Sequence, residues 1–163
     1  MQKALKVSTI LSWFNMIVWG LVAGMGVLGA LLAGNLSFLV ITFLTGVTVL
    51  HSYAALQLHK SIKNPAVPLS NQTPVGIRFI GFIALFFGVL YIGDGIGLLQ
   101  STPEIAKMMQ PQLPPQAKDL DLNKLLRVAG IFSLVTGICI AVNVFLNFRL
   151  LRWYLFFREN DIK

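Results

Sequence analysis

Two histidines, His51 and His59, stand eight residues apart, and the chain has no others. Imidazole pairs are common ligands of haem iron and transition metals. On one helix, eight residues at about 100° each separate two side chains by roughly 80° around the axis and about 12 Å along it. Two such rings cannot grip one iron, so an intrachain bis-histidine haem is excluded and no metal or other cofactor is expected. His59 is expected at the membrane interface. His51 lies about two turns deeper and is the better functional candidate. The single cysteine, Cys139, has no partner for an intrachain disulfide, so cysteine usage does not report the compartment.

The stretch YIGDGIGLL, residues 91–99, holds one carboxylate, Asp94, between two glycines. With Arg78 near the inner end of the same helix, Asp94 lies about 24 Å further along the axis, in a hydrocarbon core about 30 Å thick. That places it near the outer edge, where the next span enters carrying Lys124 and Arg127. An Asp94–Arg127 ion pair is expected, with a proton or cation role as the competing reading. No HExxH, CxxC, phosphate-binding loop or nucleophile elbow occurs, so the sequence offers no recognisable catalytic constellation. The cysteine pairs of thiol-oxidising membrane proteins are absent. So is the glutamate that small multidrug transporters carry in their first span, since no charge falls between Lys6 and Asn35.

The elements that would position these residues are membrane spans. Of the 163 residues, 56% are hydrophobic and 12% charged, against about 25% charged in a soluble domain. Four apolar segments reach the length of about 20 residues that a spanning helix needs: about 7–33, 36–58, 75–99 and 125–148. The expected fold is an all-α bundle of four transmembrane helices in a single integral membrane domain. The first apolar run is far longer than the 7–15 residues of a signal-peptide core, so it is expected to stay as a span. Gly34-Asn35 makes a tight turn. The second connection is a proline-containing loop, the extracytoplasmic loop covers about 100–123, and the tail about 149–163.

The net charge of +7 could suit a nucleic acid, but the basic residues flank apolar segments, which is the pattern of membrane topology. The lipid bilayer, not nucleic acid, is the expected surrounding. Nine basic residues (Lys3, Lys6, Lys60, Lys63, Arg78, Arg149, Arg152, Arg158, Lys163) fall on one side, against Lys107, Lys118, Lys124 and Arg127 on the other. Both termini are therefore expected in the cytoplasm, and the membrane is expected to be the inner one of a bacterium. After Phe148 the last helix either continues or bends along the inner leaflet, its Trp153, Tyr154, Phe156 and Phe157 suiting the headgroup region. STPE, residues 101–104, is a helix start, and Ile105, Met108 and Met109 are expected on the outer membrane surface. The acids of that loop, Asp119 and Asp121 among them, are expected as surface charges.

The second and fourth spans align without gaps, Thr45-Gly46 on Thr136-Gly137 and Ser52 on Asn143. The first and third align less well, so the match fits either a weak two-plus-two parallel repeat or chance similarity between apolar segments. The second span has a polar stripe of Thr42, Thr45, Thr48, Ser52 and His59, with His51 on its edge. The fourth answers with Ser133, Thr136, Asn143 and Asn147. Such stripes serve either as hydrogen-bond glue or as the lining of a hydrated path. Small residues mark close-packing faces: Gly20 and Gly24 in the first span, Gly81 and Gly88 in the third, Gly137 in the fourth. The function expected is a non-catalytic structural or accessory subunit of a membrane assembly, as a homo-oligomer or with other membrane subunits. The alternative is a small transporter or channel working through the polar stripes.

Overall fold

The computed structural model describes residues 1–35, 37–112 and 120–160, with 158–160 described by backbone alone. The chain is helical: α1 Gln2–Ala33, α2 Ser37–Lys63, α3 Thr73–Gln100, α4 Thr102–Met109 and α5 Leu122–Asn160, with a short 3₁₀ turn at Gln110–Gln112. No strand occurs among the described residues. Four of the helices, α1, α2, α3 and α5, are long and apolar enough to cross a membrane. Lys118, Asp119, Lys163 and the Arg158 side chain, all counted in the charge pattern, lie outside the described residues, as does Leu36.

The helix ends follow local chemistry. α1 stops at Gly34, which takes φ 60° and ψ 19°, a left-handed conformation that glycine adopts without a Cβ penalty. Asn35 Oδ1 then accepts the Ser37 N–H at 2.9 Å and starts α2. Asp121 Oδ1 accepts the Lys124 N–H at 3.1 Å. Asp121, expected as a surface charge, is thus the N-cap of α5. The helix then runs unbroken for 39 residues, about 58 Å at 1.5 Å per residue, so it continues past Phe148.

The chain divides into two compact units, residues 1–87 with 139–163 and residues 88–138. In the first, segments of α1, α2, α3 and α5 pack together, and α1, α2 and α5 turn uncharged polar side chains and His51 and His59 inward. The buried face of α1 is Ser8, Ser12, Asn15, Trp19 and Gly26, while Ile10, Ile17, Leu21, Met25 and Leu28 are exposed. This inverts a water-soluble helix, because apolar surface gains little by leaving lipid and helices associate through small and polar contacts. Gly26 admits Thr42 of α2, and Gly29 admits the Phe38 ring. An apolar cluster of Leu58, Leu69, Ile77, Leu150 and Leu151 closes the end of this unit where the long tail of α5 packs. The Leu69 N–H donates to Tyr154 Oη there at 3.3 Å.

In the second unit α3 and α5 meet through glycine. A Cβ on Gly137 would stand 2.7 Å from the Gly88 carbonyl oxygen, and one on Gly95 would stand 2.7 Å from the Leu134 nitrogen. Ser133 Oγ donates to the Tyr91 carbonyl at 2.9 Å. α4 begins with Pro103 in its first turn, as its sequence indicates. Ile105, expected on the outer membrane surface, is half-buried and packs with Ala106 against Leu122, Leu126 and Leu98. Met108 and Met109 are exposed.

These contacts separate two kinds of glycine. Gly137→Ala forces α3 and α5 apart and is expected to destabilise the purified chain by about 1–3 kcal/mol, as overpacking does. Gly24→Ala meets no atom of its own chain and is expected to be neutral or to stabilise by up to about 1 kcal/mol through helix propensity. Thermal unfolding in detergent measures both; equal effects would contradict the packing described.

Candidate functional site

The first unit gathers a closed polar cluster from three helices. α1 supplies Ser8 and Ser12, and α5 supplies Asn143 and Asn147. Both pairs are spaced i,i+4, so each lies on one helix face. The two ladders face each other in antiparallel order: Ser8 Oγ donates to Asn147 Oδ1 at 2.8 Å and Ser12 Oγ to Asn143 Oδ1 at 3.1 Å. Asn147 Nδ2 donates to Asn143 Oδ1 at 3.1 Å. His59 of α2 completes the cluster, its Nε2 lying 2.8 Å from Asn147 Oδ1 and 3.2 Å from Ser8 Oγ. All five side chains are buried.

The hydrogen bonds set the state of the ring. Asn147 Oδ1 can only accept, so the neutral His59 ring carries its hydrogen on Nε2. Nδ1 lies 3.2 Å from Thr9 Oγ1, and that hydroxyl also lies 2.7 Å from the Leu5 carbonyl. Thr9 has one hydrogen for these two acceptors. With the hydrogen on the Leu5 carbonyl, the bare Nδ1 of the neutral ring has no donor; with it on Nδ1, the Leu5 carbonyl loses this bond.

Ser8 and His59 are as close as a nucleophile and its base. Acyl chemistry would also need an entry path and a hydroxyl directed at the imidazole. Ser8 is fully buried, and its shortest contact is to Asn147. The geometry is that of helices held together by polar bonds. Each such bond is worth about 0.6 kcal/mol in a membrane. An orphaned partner in a dry interior costs more, about 1–3 kcal/mol.

The sequence-derived candidates fall into three groups. Asn143 and Asn147 lie inside the cluster. His51, Thr48 and Ser52 are buried along α2 but make no bond to it. The His51 ring packs edge-on to Phe148 at 6.5 Å in the slot that Gly81 leaves open. Neither of its nitrogens makes a hydrogen bond of good geometry, although the Ile77 main chain lies near enough to interact. Asp94 and Arg127 form the third group. Both are exposed, and among the described residues no ion pair joins them. The register explains the difference. Gly95 packs against Gly130 and Leu134, which leaves Arg127 roughly 9 Å along the axis from the level of Asp94.

Two further placements bear on these expectations. His59, expected at the membrane interface, is 2% exposed and central to the cluster. Gly20 and Gly24 make no close contact within the chain, whereas Gly81, Gly88 and Gly137 do pack. The residues missed were Ser8, Ser12 and Asn15. Their spacing of four and three marks a polar helical face, masked by the apolar residues around it. Thr45 and Thr136, matched in the repeat, both bond back to their own helices, to Ile41 and Phe132 at 2.8 and 2.7 Å. Any helical threonine can do this. Among the described residues, no three His, Cys, Asp or Glu side chains gather into a metal-binding group.

Asn147 touches three partners, and Ser12 makes one bond. Asn147→Ala is expected to lower stability by about 1–3 kcal/mol, and Ser12→Ala by about 0.6 kcal/mol. Unfolding by steric trapping in bicelles measures both, and equal losses would contradict a cluster centred on Asn147.

Compared with known proteins, the chain matches no protein-family model, no curated protein and no solved structure.

Proposed function

We propose that this chain is a non-catalytic structural or accessory subunit of a membrane assembly. The observation that carries the reading is the open small-residue face of α1. Gly20 and Gly24 form a GxxxG pair with no atom of the chain within 4 Å of where their Cβ atoms would lie. Ile17, Leu21 and Leu28, at 56%, 66% and 59% exposure, flank the pair on the same side of the helix. Small residues between larger ones let a second helix approach closely and gain packing in lipid. The partner is a second copy of the chain or a transmembrane helix of another subunit.

The charge pattern supports both termini in the cytoplasm, and a bacterial inner membrane as the location. The aligned second and fourth spans support a two-plus-two repeat. A second reading, a small transporter or channel, draws on the interior. Asn15 Oδ1, Ser52 Oγ and Asn143 Nδ2 are buried without a hydrogen-bond partner, and such atoms suit water or a small polar guest.

Native mass spectrometry of the protein, extracted gently from its own host membrane, tests the subunit reading. The expected result is a fixed stoichiometry with itself or another membrane protein. The assembly should be lost in the Gly20→Ile/Gly24→Ile variant while the isolated chain keeps its melting temperature. A lone monomer would sink the subunit reading and favour the transport one.

A further inference from the structure

The first unit carries a cationic cleft that the polar cluster does not use. Arg78 of α3 and Arg149 and Arg152 of α5 line an open cleft of about 630 Å³ with Trp153, Leu155 and Phe156. Arg78 and Arg152 also border an adjoining hollow of about 370 Å³ floored by Phe82, Phe148 and Leu151. All three guanidinium groups are exposed. Among the described residues none of them is paired with a carboxylate. The described side chains of this unit include no acid at all.

We propose that this cleft binds an anionic glycerophospholipid. The arrangement has the two halves such a ligand needs. Guanidinium groups present planar donor forks that match phosphate oxygens in pairs. Beside them α3 exposes Phe79, Phe82 and Phe86 at spacings of three and four, an apolar ridge of the kind along which acyl chains pack. Trp153 and Phe156 line the cleft beside the guanidinium groups, and aromatic residues of this kind are enriched at the level of lipid headgroups. Basic pockets between transmembrane helices hold anionic headgroups in this way. A free phosphate would use the guanidinium groups alone and leave the aromatic ridge without a role, so a lipid fits both halves. The site is independent of the α1 face and of the subunit reading.

The test uses the full-length chain in bicelles, with lipid retention read by native mass spectrometry. The probes are a phosphatidylglycerol, phosphatidylcholine and inorganic phosphate. The chain is expected to retain phosphatidylglycerol at least tenfold better than phosphatidylcholine. Arg149→Gln/Arg152→Gln should lose about fivefold for each charge removed. Lys60→Gln/Lys63→Gln, which removes the same charge elsewhere in the unit, should lose less than twofold. Arg152→Lys keeps the charge but not the fork, and should fall between wild type and Arg152→Gln. It also serves as the readout should the double variant fail to fold. Equal losses in the arginine and lysine pairs would overturn the proposal in favour of general basicity. So would equal retention of the two lipids. Displacement of the lipid by millimolar inorganic phosphate would show an anion site in place of a lipid site.

Discussion

A hydrogen-bonding side chain inside a bilayer has no water to turn to, so it must find a partner within the protein. The contact between Ser8, His59, Asn143 and Asn147 is how this chain meets that constraint for α1, α2 and α5. The 2.8 Å bonds from Ser8 and His59 converge on one oxygen, Asn147 Oδ1. With apolar surface unable to drive association in lipid, these bonds fix the register of three helices that are otherwise free to slide. The three bonds between helices amount to roughly 2 kcal/mol. That is small beside the total packing of four helices, and it is directional where dispersion contacts are not.

The two units solve the same problem differently. Residues 1–87 and 139–163 use polar ladders and close their basic end with leucines. Residues 88–138 use backbone approach at Gly88, Gly95, Gly130 and Gly137, with one side-chain bond from Ser133. In both, many large apolar side chains are turned outward, where lipid tails can accommodate them. This leaves the Gly20–Gly24 face of α1 and the arginine cleft as surfaces with a shape or charge of their own. The proposed subunit role and the proposed lipid site rest on these two surfaces.

Much of this architecture was legible in the sequence, because run length and hydropathy alone specify a spanning helix. The turn at Gly34-Asn35, the start of α4 and the small-residue approaches at Gly81 and Gly137 also follow from residue type. Which faces meet was less legible. The polar stripe of α2 was visible, but the polar face of α1 that meets its His59 and the asparagines of α5 is three residues in a long apolar run. His59 sits near a lysine at a helix end, and nothing in the sequence shows that α1 and α5 cover it. The Asp94–Arg127 pair failed for a similar reason. Both residues lie at the correct end of their helices, but register along the axis is set by glycine contacts several residues away. A charge pattern does not encode that offset. Asp121 is an exposed charge, as its spacing indicated, and its second role as the N-cap of α5 shows only once the helix start is located.

The central claim is that Asn147 and Ser8 act as one unit in joining α5 to α1. A double-mutant cycle tests it most directly, with Ser8→Ala, Asn147→Ala and the double variant unfolded by steric trapping in bicelles. The account predicts a coupling free energy of about 0.6 kcal/mol or more, with the double variant less destabilised than the two single losses combined. Strict additivity of the two losses would contradict it, and would mean that the buried ladder does not hold these helices together.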